Sequence, residues 1–204
     1  MKRFAMFLAL GGAMLLIAPM SHAARFVVGL SGPNEAPPNA SPAVGSGFVE
    51  TDPVAHTLRV SFSFSGLTAP TSATHIHCCV SPPGTAGVAT ALPAFPGFTL
   101  GTTSGTYDGT FSTLSAASYN PAFITANGGT PASAEAVLFA GMLATSAYLN
   151  VHTTAFPGGE IRGFLTLVEP TNIPTLAQGA LVALVAALLL LGFAMMRKRG
   201  SQAL

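Results

Sequence analysis

The sequence predicts an all-β domain, an antiparallel β-sandwich with a short helical insert, set between two terminal segments that act as addresses. Three observations lead there. The stretch His56–Ser65 alternates strictly, with Leu58, Val60, Phe62 and Phe64 on one face and Thr57, Arg59, Ser61, Ser63 and Ser65 on the other. That period of two marks a half-buried strand. Similar short runs recur, separated by turn-formers such as Gly32-Pro33-Asn34, Ser81-Pro82-Pro83-Gly84 and Phe156-Pro157-Gly158-Gly159, the punctuation of a sandwich. Charge is sparse: 7% of the 204 residues are Asp, Glu, Lys or Arg, against roughly 25% in an ordinary soluble domain.

Taken in order, residues 1–23 read as a signal peptide. Lys2 and Arg3 precede an apolar run, and Ser21-His22-Ala23 supplies the small residues of a cleavage site after Ala23. The domain follows over 24–169, long enough for one core. Its strands are predicted at 25–31, 45–51, 56–65, 73–80, 87–92, 105–111, 147–153 and 160–168. Two helical signals interrupt them. Asn120 caps a turn of helix over 121–126, and Thr130 caps a longer helix that Pro131 opens and 132–144 fills with helix formers. Residues 170–204 form a C-terminal sorting segment. Gly179–Met196 is an uninterrupted apolar run of 18 residues, so a transmembrane helix is predicted over 176–196. Arg197, Lys198 and Arg199 follow it and hold that end in the cytoplasm, which leaves the domain outside.

Composition excludes several function classes. Between Ala24 and Asn172 there are three Arg, no Lys and seven acids, a formal charge of −4. Nucleic acid needs clustered cations and is excluded as a partner. The chain has no Gly-x-Ser-x-Gly elbow and no phosphate-binding glycine loop.

The chemistry concentrates in the domain's histidines, His56, His75, His77 and His152. On a strand, His75 and His77 project together while Ile76, Cys78 and Val80 face the core. In the last two strands Leu149, Val151, Ile161 and Leu165 turn inward, and Asn150, His152, Glu160 and Arg162 turn outward. A hairpin at 156–159 puts all of these polar groups on one outer face. Three imidazoles there suit copper(II) or zinc(II), with Glu35, Glu160 or Cys79 as candidate additional ligands. The same residues admit a second reading, in which Asn150, Glu160 and Arg162 form a structural polar cluster and Glu160 pairs with Arg162. Cys78 and Cys79 are the only cysteines. A vicinal disulfide, an intermolecular bridge and a soft Cys79 ligand are the alternatives for them.

Asn34-Glu35-Ala36-Pro37-Pro38, Gly45-Ser46-Gly47, Thr74-His75-Ile76-His77, Tyr148-Leu149-Asn150-Val151-His152-Thr153 and Pro157-Gly158-Gly159-Glu160-Ile161-Arg162-Gly163 together resemble the CHRD domain. That module is named from chordin and occurs as single copies in many bacterial secreted proteins. The resemblance runs from Arg25 to Val168, and Cys78-Cys79 departs from the small residues common in the family at that point. It implies an extracellular β-sandwich. The His-x-His strand is similar to the copper-ligand strand of Cu,Zn superoxide dismutases, which implies a Greek-key sandwich of that kind. A dismutase needs a second metal site, for which the histidines are too few. The last 32 residues resemble the IPTL-CTERM variant of the PEP-CTERM sorting signals, through Ile173-Pro174-Thr175-Leu176, the apolar span and Arg197-Lys198-Arg199. The usual Trp-Gly is absent at Ala177-Gln178-Gly179. This likeness implies processing by an exosortase in a Gram-negative bacterium, with the domain anchored at the outer surface or released from it.

Three functional readings follow. In the first, an exported cell-surface or extracellular module binds one metal ion, copper ahead of zinc, or a surface partner such as an extracellular polysaccharide or protein, through His75, His77 and His152. In the second, it is a purely structural adhesion or matrix module. In the third, it is a copper redox enzyme of the dismutase kind. No catalytic residue is assigned, and the ligand count places binding ahead of catalysis.

Overall fold

A computed structural model describes residues 23–168, together with 183–190 and 192. Eight strands form the first unit: β1 (Ala24–Ser31), β2 (Val44–Asp52), β3 (Thr57–Ser65), β4 (Thr71–Cys78), β5 (Gly105–Ser112), β6 (Ala147–Thr153), β7 (Ile161–Phe164) and β8 (Thr166–Leu167). They run in the order β4-β6-β7-β1-β2-β3-β5, with β8 beside β1, and every pairing is antiparallel. The sandwich expected from the sequence is therefore one continuous antiparallel sheet curled into a half-barrel. Its two halves close on a single core. Phe26, Val49, Val60 and Phe62 come from one side, and Ile76, Leu149, Val151 and Ile161 from the other.

The alternation in β3 is the physical reason for that closure. Leu58, Val60, Phe62 and Phe64 are buried, and Phe62 meets Phe95 and Phe98 from the long connection between β4 and β5. The chain leaves β3 and crosses to the far edge, where β4 pairs only with β6. Residues 87–92, expected as a strand, run along the free edge of β4 without forming a ladder. The Gly87 carbonyl accepts from the Cys78 N–H, and the Thr90 hydroxyl accepts from the Ile76 N–H. A hydroxyl in place of a backbone carbonyl breaks the ladder while still satisfying the edge.

The insert contains α1 (Pro121–Ala126) and α2 (Pro131–Leu143). Asn120 Oδ1 accepts from the Ala122 N–H, and Thr130 and Ser133 complete a reciprocal capping box, as their residue types lead one to expect. α2 packs on β4, β6 and β8. Its Glu135 accepts from His56 Nδ1 at 2.9 Å and from the Thr113 hydroxyl.

In the C-terminal unit, 183–190 and 192 are helical. The remainder of the predicted span 176–196, the predicted sorting tetrapeptide and residues 1–22 of the predicted signal peptide 1–23 lie outside the described residues. Among the described residues no helix is long and apolar enough to cross a membrane.

Candidate metal centre

Strand register assembles the site. His75 on β4 stands opposite Asn150 on β6, which stands opposite Arg162 on β7. One row along, His77 faces Tyr148 and Tyr148 faces Phe164; in the other direction Ala73 faces His152. The period of two puts His75, His77, His152, Asn150, Tyr148, Arg162 and Phe164 on one face.

The outward orientation expected for His75, His77, Asn150, His152 and Arg162 holds, but the face is not solvated. His75, His77 and His152 are 4%, 8% and 7% exposed, and Asn150 and Arg162 are 2% and 1% exposed. Proline-rich loops lie over the sheet and present backbone carbonyls to it. His77 Nδ1 donates to the Ala86 carbonyl at 2.8 Å, His152 Nδ1 to the Pro157 carbonyl at 3.0 Å and His75 Nδ1 to the Pro93 carbonyl at 3.3 Å. A carbonyl only accepts, so each proton sits on Nδ1 and each Nε2 keeps a free lone pair. The three rings gather closely, with His75 and His152 centroids 4.6 Å apart and His75 and His77 centroids 4.7 Å apart. One ring nitrogen from each lies within 4.8 Å of the others.

Among the described residues, the buried side-chain nitrogens and oxygens that lack a partner are these three Nε2 atoms, Glu35 Oε1 and Asn150 Oδ1. Buried polar atoms are nearly always paired, and all of these exceptions fall in one region. Burial holds the His75 imidazole down to about 3 and His77 to about 4, and it lowers His152 as well. The cause is the cost of a cation away from water, with mutual repulsion adding to it at His75. The rings are therefore neutral at pH 7, the state a metal ligand requires. Tyr148 stacks on His77 at 4.7 Å with planes 5° apart.

Arg162 closes the chamber. Its Nε donates to the Asn34 carbonyl at 2.6 Å, and its two terminal nitrogens donate to the Pro83 and Gly84 carbonyls at 2.7 and 3.2 Å. The guanidinium lies 4.7 Å over the Tyr148 ring. Its carboxylate neighbour is Glu35, at 3.9 Å. Burial raises Glu35 to about 7, against the pull of Arg162 and a hydrogen bond from the Ala36 N–H.

The expected Glu160–Arg162 pair does not form. Gly159, at φ +126°, turns the chain just before β7 and leaves the Glu160 carboxylate with other partners. Its Oε1 accepts from the Ser41 hydroxyl and the Thr68 N–H, both at 2.7 Å, and its Oε2 accepts from the Thr153 hydroxyl at 2.6 Å. Burial alone would raise this carboxyl, but the three hydrogen bonds outweigh it and hold it below its ordinary value. With both oxygens occupied, Glu160 lies outside the histidine group, as does Glu35. Cys79 is also outside that group, joined Sγ to Sγ with Cys78. His56 is drawn away to α2.

Sequence reading did not identify the covering carbonyls of Asn34, Pro83, Gly84, Ala86, Pro93 and Pro157, nor Tyr148, Ser41 and Thr68. The signal for the carbonyls was the proline clustering around these motifs: proline carries no N–H, and loops rich in it leave carbonyls without ladder partners. Gly159 also has a packing reason. A Cβ there would stand 2.7 Å from both Asn150 Oδ1 and Glu35 Oε1.

This arrangement defines an all-β domain with a covered tri-histidine face. A family comparison matches residues 26–165 to the CHRD domain, and the chain belongs to that family. No curated protein and no solved structure matches the chain.

Two outcomes test this description. Replacing Arg162 with Met leaves three carbonyls and a buried acid uncompensated, and should cost about 3 kcal/mol in urea unfolding, the scale of breaking a buried charge pair. A loss near zero contradicts the clamp. The pH dependence follows from the imidazoles, whose values are depressed from 6.5. The unfolded chain takes up their protons first, so stability is full above pH 6.5 and falls as pH drops toward about 3. Glu35, raised from 4.5 to about 7, acts in the opposite sense and offsets part of the loss between those two values. Urea midpoints of the metal-free chain should therefore fall on acidification below 6.5, and His75→Gln should flatten the slope.

Proposed function

We propose that this chain is an exported module that holds one metal ion, copper ahead of zinc, on the Nε2 atoms of His75, His77 and His152. The observation that carries this reading is the convergence of three buried imidazole nitrogens that have no protein partner. Each ring is oriented by a backbone carbonyl on its other nitrogen, the support that metal-bound histidines commonly have. A neutral three-nitrogen set with no thiolate suits copper(II) and zinc(II), and copper leads in intrinsic affinity. Three protein ligands leave a position for water or an external ligand.

CHRD domains are typically extracellular, which supports export. The signal peptide at 1–23 and the sorting segment at 170–204 supply the route, with the membrane as a transient or permanent partner and the outer surface of a Gram-negative cell as the destination. The structural reading contributes to this one. Glu160 and Arg162 are satisfied by protein groups, so their role is to hold the chamber that the histidines line.

Calorimetric titration of the purified full-length chain with copper(II) tests the proposal. One equivalent should bind, and the His75→Gln/His77→Gln double variant should bind at least roughly 100-fold more weakly, beyond what changes to supporting residues cause. A double variant that keeps full stoichiometry and affinity sinks it.

A further inference from the structure

We propose that Cys78–Cys79 is a thiol-exchange site, reduced in the folded protein by a dithiol, and that its reduction releases α2 from the sheet. The bridge sits at the end of β4. Cys78 is 6% exposed while Cys79 is exposed. Both line a cavity of about 400 Å³ whose other walls include Val88, Asn120, Phe123 and Val137. That hollow has room for the short carbon chain of a small dithiol, with the more exposed cysteine of the pair on its wall.

The chemistry balances as a two-electron exchange. A thiolate of the dithiol attacks Cys79 Sγ. A bond forms between those two sulfurs, the Cys78–Cys79 bond breaks, and Cys78 leaves as a thiolate that takes a proton from water. The second thiol of the reductant, as its thiolate, then attacks the reductant's own sulfur in the mixed disulfide. It closes a cyclic disulfide and expels Cys79, which is protonated in turn. The dithiol is oxidised and the cysteine pair reduced.

α2 responds because its backbone rests on the bridge. A Cβ on Gly141 would stand 2.6 Å from Cys79 Sγ and nearer still to Cys78 Sγ. When the bond breaks, the two sulfurs move apart to van der Waals contact. At Gly141 no side chain can yield, so the separating sulfurs press on the helix backbone itself. The Val137 carbonyl, 3.8 Å from Cys79 Sγ, offers an acceptor for the released thiol. The whole device is independent of whether the histidines hold a metal.

The test uses the full-length chain in EDTA, with dithiothreitol as the reductant, so failure of metal binding cannot enter. Hydrogen exchange is read in reductant, and iodoacetamide with mass spectrometry then counts the thiols. Both cysteines should become labelled together while the circular dichroism of the sheet is unchanged. Amides of 131–143 should exchange at least about tenfold faster than in the oxidised chain, with β1 to β3 unaffected. Labelling that waits for unfolding of the sheet, or complete labelling with α2 protection unchanged, overturns the proposal. A second measurement guards the steric link. In the oxidised chain Gly141→Ala should itself loosen α2, and in a Cys78→Ala/Cys79→Ala background it should do so far less. Unchanged α2 protection in oxidised Gly141→Ala contradicts it.

Discussion

A guanidinium enclosed in protein, Arg162, is the constraint around which this domain is arranged. A buried cation costs several kcal/mol unless its donors are met, and here they are met by carbonyls from two separate loops, at Asn34 and at Pro83–Gly84. Satisfying Arg162 therefore pins both loops over one face of the sheet. Glu35, next to Asn34, is carried in with them and left with one unpartnered oxygen. The curled sheet closes one face on an apolar core, and the Arg162 clamp helps cover the other face where β4, β6 and β7 lie.

That cover changes the meaning of the histidines. On an open face they would be ordinary solvated side chains. Under the loops each is held by one carbonyl, buried and kept neutral, with its Nε2 left without a protein partner in a group whose ring nitrogens approach within 4.8 Å. Such a site is costly to leave empty, since unpaired buried polar atoms destabilise the fold. The residues that carry the CHRD resemblance are largely the residues of this chamber. Asn34 and Glu35 come from the first motif, His75 and His77 from the third, and Asn150 and His152 from the fourth. Pro157, Gly159 and Arg162 come from the last. Gly163 belongs to the same set for packing, because a side chain there would collide with the Gly29 carbonyl.

The strands were legible because burial on one face imposes alternation, and β3 shows it residue by residue. The helices were legible because Asn120-Pro121 and Thr130-Pro131 carry their own caps. The facing of His75, His77 and His152 followed from parity alone. Parity says which face a side chain takes but not what lies above that face, so the burial of the chamber could not be read. The partner of Arg162 was misjudged for a related reason. Glu160 is two residues away, but Gly159 turns the chain at that point and the carboxylate meets Ser41, Thr68 and Thr153 instead of the outer face expected for it. Long-range closure of this kind depends on loops whose paths leave no periodic trace. The curl of the sheet into one continuous half-barrel was hidden likewise, since strand order is set by crossings between distant segments.

The central claim is that three neutral imidazoles present unpartnered Nε2 atoms to one point. Long-range proton–nitrogen NMR of the imidazole rings at pH 7 reads this directly, in the metal-free chain and after one equivalent of zinc(II). The account predicts that His75, His77 and His152 all carry their proton on Nδ1, and that zinc shifts the three Nε2 resonances together while leaving His56 in place. Protons on Nε2 in the metal-free chain, or Nε2 resonances indifferent to zinc, would contradict it.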